Sequence, residues 1–523
     1  MTPKNNHFDI VIVGGGVSGV YSSWRLKNEL PNSQDLKIGL FEASNRIGGR
    51  LLSVTPPGMP SVRCELGGMR YLSSQKYVSS LIENKLRMKI TPFAVDQPEN
   101  IAFLRNTILR LSQLNDSSKV PYNLTWAEKG KTPEELLQFA IQQIVPNISA
   151  YQGQALMEYL INFTFEGKHL YDEGFWNLVS RAVSHEAFRF LTQGGGYDMS
   201  TANWNALDMI LFNFDFAPDV KYWHVTDGYE AVPIRLANEF QKAGGELSLG
   251  HRLLGFSMED NLVKMVFDVN GEQETVLAKK MILAMPKRSI ELIAKKNPFF
   301  SKENVEFYKN FNSITPVKMF KMFIAYHEPW WENLGIKKGR SLTDLPIRQT
   351  YYWGTEAYQE GGNSQNRNSV LMATYDDSMN VDFWVGLDSK RERKKVQTSS
   401  HLFQEPIKDS NWDDYLANES MVDEMNRQLA QMHGLKYIPQ YYSAVYQNWG
   451  QDPYGGAIHL WNIHAKSWEV IPYMVNPTKG ELPIFICGEA YSHEQGWVEG
   501  ALATSELMLQ NYFGLKEPNW LNA

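Results

Sequence analysis

The run Phe8-Asp-Ile-Val-Ile-Val-Gly14-Gly-Gly16-Val-Ser-Gly19 reads as an apolar strand that stops at glycines and turns into a helix. Gly14, Gly16 and Gly19 fit G-x-G-x-x-G. In that pattern the first glycine permits a tight turn and the second lets backbone approach a pyrophosphate. The third lets the helix pack closely on the strand. Val17 and Ser18 open the helix, whose free N–H groups and positive dipole end suit phosphate oxygens. The helix is predicted to run from Val17 to Leu30, stopped by Pro31. A second strand follows, Leu36-Lys-Ile-Gly-Leu-Phe-Glu42. Glu42 ends it roughly 20 residues past the last glycine, where an acid on a ribose hydroxyl is expected. Strand, glycine turn, helix, strand and acid predict an α/β, Rossmann-type dinucleotide-binding unit.

The next residues discriminate between cofactors. The chain reads Glu42-Ala43-Ser-Asn-Arg46-Ile-Gly48-Gly49-Arg50. A nicotinamide enzyme has no need of a second glycine pair flanked by arginines. A two-dinucleotide flavoprotein does, because the glycines pass close to the cofactor and an arginine neutralises pyrophosphate charge. Four further motifs follow: Leu66-Gly67-Gly68-Met69-Arg70, Asp452-Pro-Tyr-Gly455-Gly456-Ala457, Cys487-Gly488-Glu489-Ala490 and Gly496-Trp497-Val498-Glu499-Gly500-Ala501. On these motifs, ordered over nearly the whole chain, the sequence resembles the flavin amine oxidase family, which includes monoamine, polyamine and L-amino acid oxidases. Within it the chain is most similar to the L-amino acid oxidases. The resemblance implies FAD, bound by Gly14, Gly16, Val17, Ser18, Gly19, Glu42, Ala43, Arg46, Gly49, Arg50, Gly67, Gly68, Met69, Arg70, Leu253, Gly488, Glu489, Gly496, Trp497, Val498 and Ala501. Leu253 would meet the adenine through its backbone, and Glu489 the ribityl chain.

Composition bounds the alternatives. A chain of 523 residues is expected to form two or three domains. Its net charge of −7 argues against a nucleic-acid partner. It has two cysteines, Cys64 and Cys487, which excludes a disulfide framework and any CxxC metal site. Covalent flavin commonly uses a cysteine near the C-terminal glycines. Tyr454-Gly455-Gly456-Ala457 holds none, so FAD is expected to be non-covalent. No signal core precedes the first strand, and no window of 18 or more apolar residues appears. The expectation is no membrane association, a location that is cytoplasmic or left open, and a homodimer or higher homo-oligomer.

The domains are expected to interleave. Residues 1–75, 225–300 and 440–523 are assigned to the FAD-binding domain, and 76–119 and 301–439 to a substrate-binding domain with a mixed sheet. Residues 120–224 read as amphipathic helices, an insertion that caps the site. Pro133-Glu-Glu-Leu-Leu-Gln-Phe-Ala-Ile is a clear helix start, with proline at its first position.

The resemblance also assigns chemistry. Arg70 would meet the substrate carboxylate, a role suited to a planar guanidinium fork. Tyr351 and Tyr352 share a strand, so only one can face the pocket. By position Tyr352 matches the tyrosine that assists carboxylate binding. Lys318 and Lys321 stand on an apolar strand, and Lys321 better matches the lysine that holds a water against the flavin N5. A cation there would favour reduced flavin and its reaction with dioxygen. Gly496 and Trp497 would border the α-amino group. His224 is the position from which some relatives approach the substrate, but a lone histidine is usually structural. The implied catalytic set is Arg70, Lys321, Tyr352 and Trp497. The implied reaction is oxidation of an L-amino acid by dioxygen to a 2-oxo acid, ammonia and hydrogen peroxide, with large apolar or aromatic side chains preferred. A monoamine or polyamine oxidase of the same family is the alternative.

Overall fold

The computed structural model describes residues 6–199, 202–214, 220–294, 299, 304–388 and 410–522. The opening strand forms over His7–Val13, the helix over Val17–Glu29 and the second strand over Ile38–Phe41. The glycines act as their spacing requires. Gly14 has φ +115°, and a Cβ there would lie 2.3 Å from the Ala284 carbonyl oxygen. A Cβ on Gly19 would lie 1.9 Å from the Gly14 carbonyl oxygen, so only glycine lets the helix sit this close to the turn.

The first sheet has the order Glu246–Ser248, Ile38–Phe41, His7–Val13, Glu272–Leu283, Leu262–Val269, His251–Glu259, with Ile484–Ile486 also paired to Glu272–Leu283. The strands at its centre run parallel and are buried on both faces, hence the unbroken apolar run of Ile10–Val13. A second seven-stranded sheet has the order Tyr441–Asn448, Met319–Tyr326, Ser369–Asp377, Gln349–Thr355, Gly339–Thr343, Ile101–Leu104, Thr107–Arg110. Helices Pro133–Ile144, Gly153–Asn162, Phe175–Ala182, His185–Gly194 and Ala206–Phe214 build the insertion. The first of these begins in a capping box, in which Glu135 N–H donates to Thr132 Oγ1 and Thr132 N–H to Glu135 Oε2. Among the described residues no helix is long and apolar enough to cross a membrane.

Three expected domain boundaries move. Val78, Leu81, Ile82 and Leu86 pack in the same core as Ile10, Ile12 and Trp24, so the cofactor domain extends past residue 75. Phe307 and Phe311 join the other face of that domain, beyond the boundary at 300. Tyr441–Asn448 belongs to the second sheet, and Ile458–Trp461 pairs with Ile314–Val317, so the return to the cofactor domain comes after 440. A strand's own sequence carries its periodicity but not the identity of the sheet it joins.

A buried ion pair fastens the C-terminal helix Val498–Phe513 to the first helix. Arg25 donates from Nε to Glu506 Oε1 at 2.7 Å and from Nη2 to Glu506 Oε2 at 3.0 Å, and Tyr21 Oη adds a bond at 2.6 Å. The two side chains are 2% and 1% exposed. Arg25 also pairs with Glu29 and donates to the Lys516 carbonyl, so loss of Glu506 weakens its neutralisation without removing every partner. Glu506→Gln is therefore expected to destabilise the protein by about 1–3 kcal/mol, seen as a lowered midpoint of thermal unfolding.

Candidate active site

Between the two sheets lies a cavity of about 1610 Å³. At one end the backbone of Gly14 and Gly16 is bare. A Cβ added to Gly16 would meet only Gly49 Cα, at 3.8 Å, so this turn lies open to the cavity. Glu42 stands beside it. Its Oε2 accepts from Gly15 N–H at 2.5 Å and its Oε1 from Ser44 N–H at 2.8 Å, which fixes the carboxylate at the strand end. Val17, Ser18, Ala43, Leu253, Gly49, Arg50, Gly67, Gly68, Met69, Gly488, Glu489, Gly496, Trp497, Val498 and Ala501 also line the cavity, as do Arg70 and Lys321. A dinucleotide fits this wall: bare glycine backbone at a helix N-terminus, an acid at the next strand end, and arginine further on.

Three expected residues lie elsewhere. Gly19 is outside the lining and serves the helix–strand contact. Arg46 is turned into its own loop, donating to the carbonyls of Gly49 and Leu51 and to Glu230 Oε1, so it shapes the second glycine turn without lining the cavity. Tyr352 faces away. Its hydroxyl bonds Ser341 Oγ and His433 Nε2, both at 2.7 Å, in the core behind the second sheet. Its neighbour Tyr351 takes the opposite face and accepts from Arg70 Nη1 at 3.3 Å. The alternation of a strand decides this, and the sequence leaves the parity open.

Glu489 is more committed than the resemblance implies. Its Oε1 accepts from the N–H groups of His459 and Gly496, each at 2.8 Å. Its Oε2 accepts from Arg50 Nη1 at 2.8 Å and His459 Nδ1 at 2.9 Å. A carboxylate has about four lone-pair sites, and all are taken. Burial pushes its carboxyl up, but Arg50, His459 and the Gly496 N–H outweigh it and hold the group at about 2.

The other end of the cavity is aromatic and cationic. The buried Arg70 guanidinium lies 4.6 Å from the Tyr222 ring centroid and 5.2 Å from that of Phe93. Among the described residues no carboxylate pairs with it. Arg340 also lines the cavity, but Asp96 holds its Nε and Nη2 at 2.9 Å each. The buried Lys321 donates to the carbonyls of Gly67 at 2.5 Å and Glu65 at 3.3 Å, with its Nζ 4.5 Å from the centre of the Tyr375 ring. Burial pushes its ammonium down to about 7, with Glu65 pulling up and Arg70 pushing down. Lys318 instead reaches Asp382 on the exposed side. His224 is outside the lining, and burial pushes it down to about 4. Neither cysteine lines the cavity. Sequence reasoning missed Tyr222, Tyr375, Tyr197, Trp176, Arg340 and Asp96, which share no local motif and meet only through sheet pairing and the helical cap.

Comparison with known proteins agrees with this geometry. Residues 18–400 match the model of a family described as flavin containing amine oxidoreductase. The chain is 24% identical to achacin of Lissachatina fulica, covering 97% of this chain and 93% of that protein. It is 22% identical to an L-amino-acid oxidase of Mus musculus, covering 97% of this chain and 71% of that one. Putrescine oxidase, solved with putrescine bound, superposes with a TM-score of 0.65 at 16% identity over 97% of this chain and 99% of its own, a likeness of fold. The family match, together with the cavity and its glycine turns, makes this chain a member of the flavin-containing amine oxidoreductases, with FAD as its cofactor.

Proposed function

We propose that the protein is an L-amino-acid oxidase, converting its substrate to a 2-oxo acid and ammonia and reducing dioxygen to hydrogen peroxide. The observation that carries this reading is Arg70: a buried guanidinium on the cavity wall, clasped by aromatic rings and lacking a carboxylate partner among the described residues. A buried charge is costly until paired, and an α-carboxylate supplies the pair. Arg340 meets its own acid within the protein, so it makes no such demand. The alternative, an amine oxidase, would bring a cation to a wall that already holds Arg70 and Lys321.

FAD, held without a covalent link, would supply the two-electron acceptor for the Cα hydride and the means of passing the electrons to dioxygen. The chain's own residues do the rest. Arg70 holds the carboxylate through its fork, and Tyr351 keeps that fork in place from behind. Gly496 and Trp497 border the α-amino group. Glu489 fixes the Gly496 N–H, and with it the loop that carries both residues. Lys321, held by two carbonyls, presents its amine to the cavity. Trp176, Leu191, Met199, Phe212 and Leu342 give the remaining wall an apolar character that favours large apolar or aromatic side chains.

Arg70→Ala is expected to lower kcat/KM for L-amino acids by roughly 100-fold or more, with Arg70→Lys recovering part of the loss because a point charge cannot reproduce the fork. FAD should stay bound in both variants, and acid should release all of it from the denatured chain. Loss of flavin from Arg70→Ala, or undiminished oxidation of amino acids, would remove the carboxylate role. The two tyrosines separate by the same assay. Tyr351→Phe deletes one hydrogen bond to Arg70 and is expected to cost about fivefold to tenfold in kcat/KM. Tyr352→Phe should leave kcat/KM unchanged and lower only thermal stability.

A further inference from the structure

Arg70 and Lys321 place two buried cationic side chains on one cavity wall. No carboxylate pairs with either among the described residues. The Lys321 geometry is specific. A neutral amine has two N–H bonds, and the carbonyls of Gly67 and Glu65 accept two hydrogen bonds. One tetrahedral position of Nζ remains beyond these two carbonyls, on a side chain that lines the cavity, and it holds either a lone pair or a third proton. Tyr375 faces Nζ from the neighbouring strand Ser369–Asp377, and the neutral Gln447 is its register partner on Tyr441–Asn448. The segment 65–70 supplies the two ionisable neighbours, Arg70 and Glu65, and burial pushes the Glu65 carboxyl up to about 8. The Glu65 carboxyl is engaged by Ser53 Oγ at 2.7 Å and by Tyr229 N–H at 2.8 Å.

We propose that Lys321 is the proton acceptor of this site, and that a carboxylate bound at Arg70 is what makes it one. The inference rests on the Arg70 reading above. While Arg70 is unopposed, its charge disfavours a second cation in the same cavity. A carboxylate on Arg70 cancels that charge, and the basicity of Lys321 rises. In the protein without an anion, burial already leaves Lys321 divided between its two forms near neutral pH.

An amino acid zwitterion brings both partners at once. Its carboxylate pairs with Arg70. One N–H bond of its α-ammonium breaks, the electron pair stays on the α-nitrogen, and the proton joins the Nζ lone pair. The substrate is left as the neutral amine, whose lone pair can form the imine bond as the Cα hydride departs to the flavin. No proton passes to or from solvent, and the transfer leaves the net charge of the site unchanged.

The test uses the FAD-loaded enzyme and benzoate, an anion with no proton to give. Calorimetric titration at pH 8 in two buffers of different ionisation enthalpy reads the protons exchanged on binding. The expected result for the parent protein is uptake of about 0.5 to 1 proton per benzoate, with affinity that rises as pH falls from 9 to 7. Lys321→Met should bind benzoate with no uptake and a flat pH profile, whereas Glu65→Gln should keep the uptake. Benzoate binding to the parent protein without proton uptake overturns the proposal, and this measurement needs no variant. Uptake that survives in Lys321→Met, or disappears in Glu65→Gln alone, overturns it as well. Failure of benzoate to bind at all refutes the Arg70 clamp itself, and the linkage with it.

Discussion

Four hydrogen bonds onto one carboxylate hold the site together. Glu489 follows the last strand of the cofactor sheet, and its two oxygens collect Arg50, both nitrogen donors of His459, and the Gly496 N–H. Those donors come from the second glycine turn, from the strand that pairs with Ile314–Val317, and from the loop that carries Trp497. Burying a carboxylate costs several kcal/mol unless its lone pairs are met. Here every lone pair is met, so the interaction is both favourable and exacting in geometry. Displacing any one segment would strand a charge. The second glycine turn, the Ile458–Trp461 strand and the loop that carries Trp497 are thereby fixed to one another on the cavity wall.

The opposite logic governs the far end of that cavity. Arg70 and Lys321 are buried with aromatic rings and carbonyls for company, and the protein supplies no carboxylate to either among the described residues. A fold that satisfies Glu489 so fully can equally satisfy a cation, as Asp96 does for Arg340. Leaving Arg70 unsatisfied stores a preference for an anionic ligand. This contrast between a closed electrostatic account at Glu489 and an open one at Arg70 is the physical basis for the functional reading.

The cofactor half of the molecule was legible because its chemistry is written in consecutive residues. Gly14, Gly16 and Gly19 act at the spacing that names them, and Glu42 arrives at the end of the next strand. The helix at Pro133 announced itself through the proline at its first position, to which the structure adds a capping box. The substrate half was legible only in part. Arg70 lies within a motif, but its aromatic clasp is assembled from residues 93, 222 and 351, on three separate strands or loops. Tyr351 and Tyr352 differ by one residue and therefore by one face of the sheet, and it is Tyr351 that bonds Arg70, whereas the Tyr352 matched by the resemblance bonds His433. Arg46 sits in a cofactor motif yet spends its donors on its own loop, because a guanidinium serves carbonyls as readily as phosphate. The boundaries near 75, 300 and 440 shifted for a related reason: short helices and strands carry no mark of the core they will join.

The central claim is that the cavity selects for a carboxylate beside the carbon that is oxidised. Matched pairs test it most directly: L-phenylalanine with phenethylamine, L-leucine with isopentylamine, L-lysine with cadaverine. Each is mixed without oxygen with the FAD-loaded protein, and bleaching of the flavin absorbance is followed. The account predicts rapid bleaching by one or more of the amino acids and little or none by the amine derived from it. Bleaching by the amines, with the amino acids inert, would contradict it.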